Sequence, residues 1–279
     1  MYVHVYGLYH CGLGNILFQV AAAIYYAEKY KYKIILKRTY PICYGTSNMF
    51  GREKMSTMGI KQYKTYDKTI FKKFMFDNGY VEDSIVVSNY FSDTKINPEG
   101  RHIIIDCYSQ NIQLFYEYIH EIPKYLYLED PEILCYIKNK YPTIENENTN
   151  SVCLGVRFGK DFEHKLNIIT ANSYKKALDF YKSQGIEIKN VFIISDVKNT
   201  TELLNLGENY NCIEVDENDI VQIYCGMMCD NFILSESTFH LWIAYLAVAK
   251  NKEKKVVCFN NTDITNRNLH FPDWYRIDY

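Results

Sequence analysis

From about residue 151 onward the chain alternates short β-branched runs with segments of helical period, which restricts the fold more than any other feature. The runs are Val152 to Arg157, Val191 to Ser195, Cys212 to Val215, Phe232 to Ser235 and Lys255 to Phe259. Helical patterns at Ser173 to Tyr181, Thr200 to Leu206, Asp219 to Cys229 and Thr238 to Ala249 fall between them. Strands that alternate with helices assemble into a parallel, doubly wound sheet. The N-terminal half starts the same way. Met1 to Tyr6 reads as a strand ending in a glycine-bearing loop, Asn15 to Tyr30 as a buried helix and Lys33 to Lys37 as the next strand. A strand at His102 to Asp106 and a helix near Gln110 to Ile119 follow.

Two stretches interrupt this rhythm. Pro41 to about Pro98 is polar, rich in Lys and Tyr and weakly periodic, and reads as an irregular insertion over about residues 41–98. Tyr141 to Ser151 (YPTIENENTNS) has nothing to bury and reads as a linker. The expected domains are therefore 1–145 and 146–279, a size each half can fold at.

A net charge of −2 argues against a nucleic-acid binder, which carries a basic surplus. The longest apolar runs, Phe18 to Tyr26 and Leu241 to Ala249, fall well short of the roughly 20 residues a bilayer requires, so no membrane span is expected. MYVHVYGLYH lacks the basic start and apolar core of a signal peptide. The 9 cysteines are scattered, and Cys225 and Cys229 sit in an apolar helical pattern, as buried reduced thiols do. A soluble cytoplasmic protein is the expectation. The 27 tyrosines, with abundant Lys, Asn and Ile, fit AT-rich codon usage, as in a large DNA virus or a low-GC bacterium. In a virus the site of action would be the host cytoplasm.

Open α/β sheets bind ligands beyond the carboxyl ends of their strands, and three segments fall there. In His10-Cys11-Gly12-Leu13-Gly14-Asn15, Gly12 and Gly14 let backbone approach a ligand, and Asn15 suits a helix N-cap whose N–H groups could meet a phosphate. Glycine for purely steric reasons is the alternative. Arg157-Phe158-Gly159-Lys160-Asp161-Phe162 places a guanidinium at the mouth of a buried strand, where its donor fork suits a diphosphate. A structural ion pair between Arg157 and Asp161 is the alternative. At Ser235-Glu236-Ser237-Thr238-Phe239 the hydroxyls of Ser237 and Thr238 either cap a helix or share that helix start with a phosphate. No DxD, HExxH, zinc-spaced CxxC, P-loop or GxSxG motif occurs, so no metal is expected.

Together these segments resemble the fucosyltransferases of glycosyltransferase family 11, related to the α-1,6- and protein O-fucosyltransferases. The family's GGLGNQxFQ is matched at most positions by Cys11 to Gln19. Its GYxQSxxYF is echoed by Cys107 to Asn111 leading to Phe115, and its FxxSDD by Phe192 to Asp196, with Val197 for the second aspartate. Glu236 to Leu246 is similar to its NSSFSWWGAWL. In the central HxRRGDY motif, Gly155 stands for the histidine, Phe158 for the second arginine, and one residue is inserted before Asp161, a spacing closer to the HxRxGxDW of protein O-fucosyltransferases.

The resemblance implies an α/β, GT-B-type fold of two Rossmann-like domains facing across a cleft. The C-terminal domain would hold the nucleotide sugar and the N-terminal one the glycan acceptor. It implies inverting, metal-independent transfer, with GDP-fucose the favoured donor and no other cofactor. Arg157 and Asp161 are then the catalytic candidates, with Gly12, Gly14, Asn15, Arg157, Asp196, Ser237, Thr238 and Phe239 for the nucleotide sugar and His10 and Gln19 on the acceptor side. The base stays open between Asp161, Glu236 and the leaving phosphate itself. Gly155 keeps another donor open, such as a UDP- or GDP-linked pentose or another deoxyhexose, and the altered motifs keep an inactive glycan-binding descendant open. An NAD enzyme fits poorly, because Leu17 occupies the third glycine position and Lys37-Arg38 stands where an acidic residue should end the second strand.

Overall fold

The structure, a computed structural model, describes residues 1–5, 12–37, 69–77, 84–87, 96–105, 110–145, 150–158, 169–260 and 268–278. Two compact units divide between Leu128 and Glu129. In unit 1, β1 (Tyr2–Val5), β2 (Lys33–Lys37), β3 (Met75–Asp77), β4 (Ser84–Val87) and β5 (His102–Ile105) form a parallel sheet in the order β3-β2-β1-β5-β4. The helix α1 (Leu13–Tyr30) follows β1. It is apolar on most faces and buries Leu13, Ile16, Leu17, Phe18, Val20, Ile24 and Tyr26, so packing rather than an amphipathic stripe holds it. A turn of helix, α2 (Ile112–Phe115), a 3-10 turn and α3 (Ile122–Tyr125) replace the single helix expected over Gln110 to Ile119.

Unit 2 carries β6 (Asn150–Val156), β7 (Ile188–Ser195), β8 (Asn211–Glu214), β9 (Asn231–Ile233), β10 (Lys255–Phe259) and β11 (Tyr275–Ile277). All pair in parallel, in the order β11-β10-β9-β6-β7-β8. Counted from β6, this is the Rossmann order. Its helices are α4 (Pro131–Lys140), α5 (Ala171–Ser183), α6 (Thr200–Leu204), α7 (Asp219–Met228) and α8 (Thr238–Lys250). The last buries nine consecutive residues from His240 to Val248. Helix α7 presses closely on it at Gly226, where a Cβ would sit 2.5 Å from Cγ2 of Ile243.

Two expectations are corrected. The division lies at 128/129 rather than 145/146, because α4 belongs to unit 2. Asp130 caps α4 by accepting the Glu132 N–H at 3.1 Å, and its own N–H donates to the Tyr224 hydroxyl on α7 at 3.2 Å. Tyr136, Tyr141 and Lys140 converge on Glu217, just ahead of α7. The presumed linker also holds a 3-10 turn at Pro142–Glu145. The second correction concerns the stretch 41–98, which carries β3 and β4. Both are edge-side strands of three and four residues, too short for a periodic signal. Among the described residues no helix is long and apolar enough to cross a membrane.

Candidate active site

In each sheet the strand order reverses direction beside the first strand, opening a crevice beyond the carboxyl ends. In unit 1 this is the gap between β1 and β5. Gly12 is the N-cap of α1, with an ordinary extended φ of −64° and no side-chain cap. A Cβ there would meet nothing within 4 Å among the described residues, so neither backbone strain nor packing requires glycine. Gly14 is buried in the first turn. Asn15 is not the cap expected of it. It sits inside the helix, its N–H bonded to the Gly12 carbonyl at 3.0 Å, and its Oδ1 accepts Nε2 of Gln110 at 2.9 Å. That hydrogen bond ties the start of α1 to the segment after β5. Gln19 is buried at 1% exposure, which removes it from the acceptor surface expected of it. His10 lies outside the described residues.

In unit 2 the reversal falls between β6 and β9. Arg157 follows β6, and its Nε lies 3.2 Å from Oδ2 of Asp196, which follows β7. The contact is an ion pair without the alignment of a hydrogen bond. The other oxygen of Asp196 accepts the Phe158 N–H at 2.9 Å, so this carboxylate braces both the side chain of Arg157 and the backbone that follows. The Arg157 side chain stays one-third exposed, open to a ligand. Tyr174 of α5 lies beneath it, with its hydroxyl on the Arg157 backbone, and burial pushes the phenol pKa up. Asp161, and with it the expected Arg157–Asp161 pair, lies outside the described residues.

From the other side of the crevice, β9 leads through Ser235 and Glu236 to Ser237, the N-cap of α8. The Ser237 side chain makes no capping hydrogen bond, so the first N–H groups of α8 have no acceptor from their cap. Thr238 and Phe239 are half-buried in that first turn. Two further groups stand in this part of unit 2, Ser235 and His240, and in unit 1 Gln110 is a third that the sequence did not single out. Ser235 shares a 2.6 Å hydrogen bond with Nδ1 of His240, and Gln110 holds Asn15. Burial and the neighbouring Arg157 push the His240 pKa down to about 3, against the pull of Asp196. The only hint of His240 in the sequence was its place in the degraded NSSFSWWGAWL segment. A cavity of about 260 Å³ opens beyond β7 and β8, lined by Ser195, Asp196, Lys198, Glu214 and Asp216. A larger hollow of about 420 Å³ lies at the opposite end of β7, beside Glu187 and Ile188, away from these residues. Among the described residues no three His, Cys, Asp or Glu side chains gather as a metal site.

The family model of glycosyl transferase family 11 matches residues 4–279. The chain belongs to that family. As a family 11 member it is a glycosyltransferase, and its α/β, GT-B-type class is that of solved fucosyltransferases. It is similar to a NodZ α-1,6-fucosyltransferase soaked with GDP-fucose, at 11% identity and a TM-score of 0.50, over 93% of this chain and 95% of that one. It is similar also to POFUT1 in complex with GDP, at 12% identity and a TM-score of 0.51, over 92% and 98%. At such identities the likeness is one of fold. No protein of curated function matches the family 11 chain by sequence.

Proposed function

We propose that this glycosyltransferase moves L-fucose from GDP-fucose to a hydroxyl of a glycan acceptor, with inversion and without a metal ion. The observation that carries the reading is the crevice between the paired strands β6 and β9, where Arg157, braced by Asp196, follows β6 and the uncapped start of α8 follows β9. Guanidinium and helix N–H groups together suit a diphosphate. The NodZ structure soaked with GDP-fucose and the POFUT1 structure in complex with GDP support that choice of donor. Ser237, Thr238 and Phe239 contribute the helix end, and Gly12, Gly14 and Asn15 form the start of α1 in unit 1, whose open Gly12 backbone fits a ligand contact. His10 remains the acceptor-side candidate.

In the reaction the acceptor oxygen attacks the anomeric carbon from the face opposite the diphosphate. The bond between that carbon and the β-phosphate oxygen breaks, and the electron pair leaves on GDP. The acceptor proton passes to a base, Asp161 or Glu236, or to the departing phosphate. Arg157 and the α8 N–H groups stabilise the charge growing on the phosphate, each such donor being worth about 2.7–4 kcal/mol. Several of them together do what a divalent cation does elsewhere. Gly155, where the family motif has histidine, favours a second reading in which mechanism and fold are kept and the donor is another nucleotide sugar, such as a UDP-linked pentose.

Calorimetric titration with GDP, UDP, CDP and dTDP, first without and then with a divalent cation, tests both. Metal-independent GDP binding, followed by transfer from GDP-fucose, is the expected result. A preference for UDP replaces the first reading with the second. Arg157→Ala should abolish transfer in a protein that stays folded, and retained turnover would remove Arg157 from the mechanism.

A further inference from the structure

Strand β6 ends in Gly155-Val156-Arg157, and Gly155 is pressed against α8. A Cβ on Gly155 would lie 2.5 Å from Cγ, 2.6 Å from Nδ1 and 2.8 Å from Cβ of His240. Such distances are far inside van der Waals contact, and the atoms involved form the root and ring of His240, which cannot swing away as a chain tip can. Positions 155 and 240 therefore exclude one another, and only one of them can carry a ring in this space. The ring present is fixed on a second side by Ser235, whose Oγ lies 2.6 Å from Nδ1, and Phe239 packs 5.9 Å away, centroid to centroid. His240 is 5% exposed and bridges the ends of β6 and β9, the two strands that flank the crevice.

The motif comparison gives the same pair a second meaning. The family's HxRRGDY has histidine where this chain has Gly155, and its NSSFSWWGAWL has serine where this chain has His240. Against those motifs, an imidazole is absent from one wall of the crevice and present on the other, in positions that touch.

We propose that His240 is a positioning residue of the donor site: seated on Gly155 and held by Ser235, its ring supplies from α8 the imidazole that the family motif carries on β6, and so sets the geometry of Arg157 and of the α8 N-terminus around the donor diphosphate. The proposal rests on the assignment of this crevice to the donor. Burial, with Arg157 adding to it, disfavours protonation of His240, so the ring is neutral at neutral pH and adds no competing charge. With Nδ1 engaged by Ser235, Nε2 is the nitrogen left to meet another group.

The test is a reciprocal exchange in the full chain, comparing wild type, His240→Ser, Gly155→His and the double variant G155H/H240S. Each is followed by thermal unfolding and by calorimetry with GDP, or with UDP should the wild type prefer it. Gly155→His alone should unfold at markedly lower temperature, because two rings claim one space. His240→Ser should stay folded and bind the nucleotide at least about tenfold more weakly. The double variant should recover the affinity to within about threefold of wild type and part of the melting temperature lost by Gly155→His, because Ser at 240 removes the ring atoms at 2.5 and 2.6 Å but keeps the Cβ at 2.8 Å, which strand and helix must shift to accommodate. In turnover, His240→Ser should raise KM for the donor and leave KM for the acceptor unchanged. Wild-type affinity in His240→Ser would overturn the proposal. So would a double variant that regains that part of the melting temperature but not its affinity, since the pair would then be a packing device alone. A wild type that binds none of the nucleotides would instead refute the donor-site assignment, and the proposal would fall with it.

Discussion

Arg157 and Asp196, brought together from the ends of β6 and β7, form a 3.2 Å ion pair in which the carboxylate also accepts the Phe158 N–H at 2.9 Å. Asp196 thus holds the cation of the crevice by its side chain and by its backbone at once. A carboxylate so near a phosphate site would repel the ligand were its charge not already engaged. Its part is to aim Arg157. Asp196→Asn keeps the shape and the backbone hydrogen bond but not the charge pairing. Transfer should fall by about 10²-fold, the usual cost of misplacing a reacting group by about 1 Å, with the melting temperature within a few degrees of wild type. Steady-state kinetics beside a thermal melt decide it, and an unchanged kcat/KM would show that Arg157 needs no brace.

A second test concerns the loop of unit 1. Asn15→Ala removes one hydrogen bond of Gln110, which is 5% exposed, and should cost unit 1 about 0.5–1.5 kcal/mol. Hydrogen exchange of the α1 amides reports that unit directly. Exchange at the wild-type rate would mean that the hydrogen bond contributes nothing net.

Tyr181 on α5 reaches across unit 2 and donates to the carbonyls of Phe232 and Lys255, at 2.8 and 2.9 Å, beside the strand pair β9 and β10. Tyr181→Phe leaves buried carbonyls without that donor and should lower the stability of unit 2 by about 1–3 kcal/mol. Both tryptophans of the chain, Trp242 and Trp274, lie in this unit, so urea unfolding followed by tryptophan fluorescence isolates it. Nucleotide affinity should be untouched, because Tyr181 bonds the sheet interior, away from the crevice.

Acid should weaken unit 2. Burial pulls the pKa of His240 and His270 down to about 3 in unit 2, with Arg157 and Arg276 respectively adding to the effect, and burial does the same to His4 in unit 1. For a group whose folded pKa is depressed in this way, the unfolded histidine takes up its proton first. Stability is therefore complete above about pH 6.5 and is lost progressively as the pH falls toward 3. Each histidine contributes a slope of up to about 1.4 kcal/mol per pH unit, so His240 and His270 together contribute up to twice what His4 contributes in unit 1. Urea midpoints from tryptophan fluorescence, taken between about pH 7 and about pH 4, measure the unit 2 slope. Replacing His270 by Gln should halve it, and a flat profile would mean that these rings become charged without unfolding the protein.

The sequence alone determined the kind of fold and the places where chemistry could occur. Strands such as Lys33–Lys37 and Lys255–Phe259, and helices such as Asp219–Met228, were legible because a buried parallel strand must be continuously apolar and its connecting helix must be long. Arg157, Ser237 and Gly12 were legible because polar or Cβ-less residues at the ends of apolar runs need a reason. The tertiary structure alone decided the partners. Edge strands of three residues, such as β3 and β11, carry too little periodicity to be seen, and α4 joined unit 2 through Glu217 and Tyr224, which lie far along the chain. Asn15 read as a cap because only its neighbours in sequence were visible. In the fold its amide meets Gln110, 95 residues away. Gly155 read as a missing motif histidine for the same reason, and only the packing of α8 on β6 shows that His240 lies against it. Local patterns follow from the solvation and backbone preferences of adjacent residues, whereas side-chain pairing depends on which strand ends the sheet order makes neighbours.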